Sequence, residues 1–340
     1  MRGRASPRAP VTDSEFDIIA SIFAPLSKGA SGAFSLTDDA AALPSGDYIV
    51  TADMMIEGVH FLKSDPLDLV ARKLLRVNLS DLAAKGAKPI GYLLTCAWPA
   101  AAKRADIELF ADGLAVDQET YRVALYGGDT TRHSAAGAPL TLSATFFGAA
   151  PRQGMVTRAG AAPGDDLYVS GTIGDAGLGL AALQKSEKFS PAAREFLVCR
   201  YRLPDPRITL GGALAGFASA AIDVSDGLLA DAGHIAETSR CAITIAAESI
   251  PLSPPARSWL DRQIDKNAAY GRLASFGDDY EILFAAPPRA RRAIEMAATV
   301  SKTPVVRIGA AARGEGVRLL DGSGREITVD ESGFDHFSRR

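Results

Sequence analysis

Aspartate recurs where apolar runs of this sequence give out. Nine positions share that setting: Asp38, Asp39, Asp53, Asp81, Asp129, Asp223, Asp226, Asp278 and Asp279. A carboxylate beside a buried element is costly unless a cation or a set of donors compensates it. General acid–base chemistry needs one or two such groups. Hard divalent cations need more: Mg2+ takes oxygen ligands and usually binds in company with phosphates. Two or more such ions on a polyphosphate would invert the local charge, so acids can gather where an anion must bind. Aspartate, with its short side chain, holds a coordination sphere more rigidly than glutamate.

The stretch from Tyr48 to Phe61 is the centre of this pattern. Tyr48, Ile49 and Val50 predict a buried strand, with Asp53 where it should end. His60 follows after Gly58, which permits a bend. Of the four histidines, His60, His133, His234 and His336, no pair has the close spacing of a zinc motif. His60 beside an acidic strand end reads either as a ligand-binding group or as a satisfied core or surface histidine.

The elements that must carry these residues can be taken in order. Asp13-Ser14-Glu15 opens a short helix through Phe23, ended by Pro25, and Ser27 to Leu36 reads as a mobile loop. Asp65-Pro66 predicts a helix start with Asp65 as cap and Pro66 at the first position, running to Lys85 and closed by Gly86. Asn78 and Asp81 share one face of it, at the border of the stripe Leu67, Val70, Leu74 and Leu75. Both a functional role and simple backbone satisfaction fit that pair. Ile90 to Trp98 predicts a strand, Ile107 to Leu114 a helix, and Tyr121 to Tyr126 a strand ending in Gly127-Gly128-Asp129-Thr130-Thr131. That ending suits a backbone approaching a phosphate beside a hard cation, and equally a hairpin turn. Pro139 to Phe147 is a further strand, and Ala149 to Gly164 a boundary rich in small residues. Arg158 within it could hold a phosphate by its planar fork or be a solvated linker residue.

The second half alternates strands, at Asp166–Ser170, Ala220–Val224, Ala242–Ala246, Tyr280–Ala286, Val305–Ile308 and Val317–Leu320, with helices. Gly171, Gly174, Gly177 and Gly179 resemble a phosphate-cradling turn but match neither dinucleotide nor P-loop spacing, and close packing explains them as well. Ser225-Asp226-Gly227 opens a helix, where capping would explain one of the two polar residues. Capping does not explain Asp223 inside its strand.

At 340 residues the chain is long enough for two domains, placed at 14–150 and 151–340 after a disordered tail over 1–13. Its 47% apolar and 23% charged residues are ordinary, and the net charge of −3 gives no reason to expect nucleic acid or a membrane surface as partner. Gly211 to Ile222 is too short to span a bilayer. Cys96, Cys199 and Cys241 lie far apart, which fits a reducing cytoplasm and suggests neither a disulfide framework nor a zinc site.

Five stretches together resemble the thiamine-monophosphate kinases, members of the aminoimidazole-ribonucleotide-synthetase-like ATP-binding superfamily. They are Asp38-Asp39-Ala40-Ala41; Thr51-Ala52-Asp53 with Glu57-Gly58-Val59-His60-Phe61; Asn78 to Ala84; Gly127 to Arg132; and Ile222 to Leu228. Gly333-Phe334-Asp335-His336-Phe337 resembles the family's ending. The resemblance implies transfer of phosphate from ATP to thiamine monophosphate, giving thiamine diphosphate, with several Mg2+ ions. It implies metal ligands at Asp39, Thr51, Asp53, Asp81, Asp129, Asp223 and Asp226, with a main-chain ligand at Ala52. It implies ATP contacts at Gly128, Asp129, Arg158 and Ser225, and thiamine-phosphate contacts at His60, Asp278 and Phe334. Asp53, Asp129 and Arg158 would carry catalysis. The implied fold is two α/β (α+β) domains, the first contributing strands to a β-barrel shared in a homodimer.

The sequence departs from the family in places. Asp278 stands where the family has Glu, one methylene longer; Thr37 and His133 each replace a Gly. Selenophosphate synthetases and hydrogenase-maturation dehydratases share the ATP site but use a cysteine or selenocysteine near one end, and here no cysteine precedes Cys96 and the chain ends Ser338-Arg339-Arg340. A purine-pathway amidine-ring synthetase fits the Asp53-to-His60 stretch less well. A catalytically dead binding protein would be expected to lose its costly acids first, and these are all in place.

Overall fold

The computed structural model describes residues 15–27, 30–37, 41–329 and 333–334. The tail expected over 1–13 and the Asp38-Asp39 pair, with its expected metal ligand Asp39, lie outside the described residues.

The first half opens with α1 (Glu15–Ile18), which runs on as a π-helical turn over Ile19–Phe23 and a 3₁₀ turn over Ala24–Ser27. Pro25 is therefore inside the helical path and does not end it. The stretch read as a loop forms a 3₁₀ segment at Ser31–Leu36, with Ala33 buried against Tyr126 and Phe147. Then follow β1 (Tyr48–Ile56), α2 (Leu67–Ala84), β2 (Lys88–Trp98), α3 (Arg104–Tyr121), β3 (Ala124–Arg132) and β4 (Thr141–Ala149). The strands form one sheet in the order β1-β4-β2-β3, parallel only between β2 and β3. Helices α2 and α3 cover one face, where Tyr92 stacks on Phe146 at 4.8 Å and Trp98 meets Phe110 edge-on.

Three local expectations change. Strand β1 is longer than its apolar start suggests, so Asp53 stands in mid-strand opposite Ala144. Gly127 to Thr131 continue β3 and make no turn; Tyr126 is the extra residue of a bulge. Gly128 has φ +153°, and a Cβ there would come within 1.7 Å of the Leu94 carbonyl oxygen, so no other residue fits. Asp65 does not cap α2, whose cap position is Pro66. Instead Asp65 accepts from the Leu62 N–H at 2.8 Å and pairs with Arg202 at 2.7 Å.

The second half comprises β5 (Asp166–Ser170), α4 (Asp175–Leu183), α5 (Pro191–Arg202), α6 (Ile208–Leu214), β6 (Ala220–Asp223), α7 (Leu228–Ser239), β7 (Ala242–Ala246), α8 (Pro254–Asp261), α9 (Lys266–Ser275), β8 (Ile282–Ala286), α10 (Arg291–Ser301), β9 (Val305–Ala312) and β10 (Val317–Leu320). Its sheet has the order β10-β7-β9-β5-β8-β6, and only β10 and β7 are parallel. The glycines before and within α4 serve close packing: a Cβ on Gly179 would lie 2.1 Å from the Leu197 carbonyl oxygen of α5.

Helix α2 joins the halves. Its apolar face is buried in the first half, while Ala83 packs with Val156, Leu210, Leu214 and Phe284 of the second. The Lys85 ammonium donates to the Ala221 carbonyl on β6 at 2.7 Å. The C-terminal end of β6 thereby meets the polar edge of α2.

Candidate active site

Three carboxylates from three elements converge at that junction. Asp53 projects from β1 on the face that carries buried Ile49 and Met55. Asp81 comes from the last turns of α2, where the Thr51 hydroxyl donates to it at 2.5 Å. Asp223 ends β6 and is buried. Burial, and then the charge of Asp81, push the Asp53 carboxyl up to about 7. Burial raises Asp223 well above the usual carboxylate range, with Asp81, Asp231 and Asp53 adding to it. Among the described residues no Lys or Arg forms a salt bridge with any of the three. Asp223 is buried and Asp53 and Asp81 are half-buried; Lys85 acts on Asp223 and Asp81 through space while its ammonium is bonded to the Ala221 carbonyl. Three converging acids with no salt-bridge partner are the donor set of a hard dication, so these residues fit the expected Mg2+.

The loop after β6 is held by a residue the sequence reading missed. Asp231, one turn into α7, accepts from the N–H groups of Ser225, Asp226 and Gly227 at 3.0, 3.1 and 3.2 Å. The cap of α7 is therefore supplied from within the helix, and neither the Ser225 nor the Asp226 side chain caps it. The Ser225 carbonyl accepts from the Asp278 N–H at 2.8 Å, and the Asp226 carbonyl from the Phe334 N–H at 2.9 Å. Ser225, Asp226, Asp278 and Phe334 thus form one patch. Asp278 and Tyr280 have φ of 69° and 51°, so β8 starts at Ile282, two residues later than the apolar pattern suggests. Strain of this kind persists where surrounding contacts over-determine the backbone. Asp279 between them is no ligand: it is buried and accepts from Gly174 and Ala176 N–H at 2.6 and 3.1 Å, anchoring α4.

His60 sits in the turn after β1. Its Nδ1 accepts from the Ile56 N–H at 3.0 Å, which leaves the other ring nitrogen as the donor. Arg158 is exposed, and its charge acts on Lys85 beside Asp223 and Asp81, which places it at the border of the trio. Ala52 points to the opposite face of β1, so only its main chain is available on the trio's side. Asp129 also stands apart. It pairs with Thr95 on the outer face of the sheet, while its neighbour Thr130 is buried and accepts from Trp98 Nε1 at 3.1 Å. Strand β3 is the opposite edge from β1, about 14 Å away at three strand spacings. The sequence suggests one cluster of acids; the structure joins Asp53, Asp81 and Asp223 and leaves Gly128 and Asp129 across the sheet.

Comparison with known proteins bears on this geometry. Residues 37–150 match the AIR synthase related protein N-terminal domain, and residues 162–322 the corresponding C-terminal domain. Thiamine-monophosphate kinase of Caulobacter vibrioides is 47% identical over 335 residues, covering 98% of this chain and 93% of that protein. This chain belongs to the thiamine-monophosphate kinase family. The crystal structure of thiamine-monophosphate kinase from Stenotrophomonas maltophilia K279a superposes with a TM-score of 0.76 at 41% identity, covering 84% of this chain and 89% of that one. A structure described as AaThiL complexed with AMPPCP and TMP gives a TM-score of 0.75 at 29% identity, covering 95% of this chain and 97% of that one.

Two lysines escaped the sequence reading of this kinase-family chain. Lys73 lies on α2 and Lys85 is the residue that caps its C-terminal end, and both are largely removed from solvent. A signal for Lys73 was present: it lies three residues after Val70 and one before Leu74, within the apolar stripe, where an unpaired ammonium is not tolerated.

Proposed function

We propose that this chain transfers the terminal phosphate of ATP directly to thiamine monophosphate, giving thiamine diphosphate and ADP. The carrying observation is the convergence of Asp53, Asp81 and Asp223, without a salt-bridge partner among the described residues, beside a patch that joins Ser225, Asp278 and Phe334. Thiamine-monophosphate kinases that match nearly all of the chain, and a related structure complexed with AMPPCP and TMP, support the substrates.

In this reading Asp39, Thr51, Asp53, Asp81, Asp129, Asp223 and Asp226, with the Ala52 carbonyl, hold Mg2+. The bound cations would supply neutralisation of the phosphates, the main obstacle when two anions must meet. The acceptor is a phosphate oxygen already ionised near neutral pH, so no strong general base is needed. The chain's own residues bind and orient. Gly128, Asp129, Arg158 and Ser225 receive ATP, with the Arg158 guanidinium at the border of the trio to meet phosphate charge. His60 offers a ring N–H, Asp278 a carboxylate and Phe334 an aromatic face to thiamine monophosphate. Held in line, the two phosphates react without a covalent enzyme intermediate.

The same reading divides the chain at 14–150 and 151–340, in a cytoplasmic protein that works as a homodimer. No helix among the described residues is long and apolar enough to cross a membrane. The outer face of the first sheet supports the dimer: Val50, Met54 and Leu93 are 61, 54 and 37% exposed on it, an apolar surface suited to pairing with a second copy into a shared barrel. Asp129 lies on that same outer face. It fits the site as a residue brought to the nucleotide by the paired copy, because Asp53 and Asp129 face opposite ways from opposite edges.

Mass-spectrometric product analysis with ATP, Mg2+ and thiamine monophosphate tests the reaction. Magnesium-dependent thiamine diphosphate, one per ADP, is expected; ATP consumed without it would move the acceptor elsewhere. Mixing inactive Asp53→Asn and Asp129→Asn chains tests the shared site. Recovery of part of the activity on subunit exchange is expected, and none from a mixed dimer would put both acids in one protomer's site.

A further inference from the structure

Lys73 is 3% exposed, on α2 at the junction of the halves. Its ammonium donates to the His60 carbonyl at 3.1 Å and to Asp278 Oδ2 at 3.1 Å, and lies 4.1 Å from the centre of the Tyr201 ring. An ammonium has three protons, and these three partners account for them. The two hydrogen-bond partners come from different halves of the molecule: His60 from the turn after β1, Asp278 from the loop before β8. Both are residues assigned above to the thiamine-phosphate end of the site. The backbone of His60 is held by Lys73 while its ring is held by the Ile56 N–H. Asp278 has one oxygen on Lys73, and among the described residues Oδ1 has no hydrogen-bond partner.

We propose that Lys73 is a positioning residue for the acceptor substrate: from α2 it fixes the spacing between His60 and Asp278 and turns one carboxylate oxygen of Asp278 toward thiamine monophosphate. This rests on the assignment of His60 and Asp278 to that substrate. It accounts for how a residue as short as Asp serves there. The carboxylate is not free to swing, because a buried cation on a rigid helix holds it. A lysine that merely neutralised Asp278 or held the halves together would affect both substrates alike. Neither the acid trio nor Arg158 is a partner of Lys73, so the effect should fall on the acceptor.

The test uses the full-length protein with Lys73→Met, which keeps the stem, and Lys73→Arg, which keeps the charge. KM for thiamine monophosphate should rise about tenfold or more in Lys73→Met, the loss of a charge-assisted hydrogen bond. KM for ATP should stay within about twofold, and Lys73→Arg should restore part of the loss. Asp278→Asn should show the same selectivity, and Lys73→Met with Asp278→Asn together should cost little more than either alone. An equal rise for both substrates, or fully multiplicative effects, would overturn the proposal. Should Lys73→Met fail to fold, Lys73→Arg and Asp278→Asn carry the same comparison. Nitrogen NMR of the imidazoles, with His60 assigned through His60→Ala, reads the positioning without turnover. Lys73→Arg or Lys73→Met should shift the His60 ring signals, and unchanged signals count against the proposal even if the wild type makes no thiamine diphosphate. Failure of the wild-type reaction alone would instead reject the substrate assignment.

Discussion

Asp117 and Asp223 are both buried aspartates, yet they live in opposite surroundings. Asp117, on α3, is closed in by Arg72 at 3.0 Å and by Arg76, whose Nε donates at 2.6 Å. Glu281 is closed in likewise by Arg200 at 2.8 Å, Arg207 at 2.5 Å and the Ser170 hydroxyl at 2.7 Å. Asp231 and Asp279 have no arginine salt bridge among the described residues but take three and two backbone N–H groups, respectively. Asp223, with Asp53 and Asp81, has only other acids as its strongest charged neighbours. Burial of an acid is thus no sign of function here. The sign is convergence without a bonded counter-charge, because a fold that ties its other acids to arginines or N–H groups and leaves these three without a salt-bridge partner has left room for a cation from outside.

The largest expected effect separates the two kinds of acid through catalysis. Asp53→Asn should lower turnover by about three orders of magnitude or more, since it removes a ligand of the cation that would offset several kcal/mol of phosphate repulsion. The metal-free protein should be no less stable for it. Turnover within tenfold of wild type at saturating Mg2+, or a fall in metal-free melting temperature, would remove Asp53 from the class. Glu281→Gln should do the reverse. It leaves Arg200 and Arg207 facing a neutral amide and should cost about 3–5 kcal/mol of folding stability in urea titration. Substrate KM values of whatever remains folded should be little changed. A stable Glu281→Gln protein would mean that the arginine-paired acids are not structural after all.

Much of this contrast was readable in the sequence, and the unread part has a physical cause. Strands β5, β7 and β10 fall where apolar composition puts them, because both their faces or their ends are set by local residues. Helix α2 was legible through its stripe and closing Gly86, although its start was misread: Asp65 found a better partner in Arg202, 137 residues away. Long-range partners of that kind leave no local trace. They also explain why Asp279 looked like a ligand while serving α4, and why Asp231 was passed over while organising the Ser225–Gly227 loop. The acid motifs themselves were legible, but their faces were not. A single bulge at Tyr126 sets which way Asp129 points, and a one-residue shift in register turns every following side chain over. Lys73 was hidden for a different reason. Its role depends on three partners that meet only when the two halves are assembled.

The smallest effect expected is on pH-dependent stability, and it sharpens the comparison where mutation cannot. The Asp53 carboxyl is raised to about 7 in the folded protein, whereas in the unfolded chain it titrates near its ordinary value of about 4. Between those values the unfolded state has given up a proton that the folded state keeps. Stability of the metal-free protein should therefore fall as pH rises from about 4 to about 7, by a few kcal/mol at most. Asp166, held below the usual carboxylate range by Arg291 and Arg307, works in the other direction and contributes only at the lower end of the window. Mg2+ should cancel the loss, because it binds the ionised trio and so stabilises the folded state most at high pH. Thermal unfolding in chelator and in Mg2+, at pH about 5 and about 8, reads this directly. The Mg2+-induced rise in melting temperature should be larger at the higher pH and nearly absent in Asp53→Asn. A rise of equal size at both pH values would mean that the cation binds acids already ionised, and the site at Asp53 and Asp223 would lose its claim to be the metal centre.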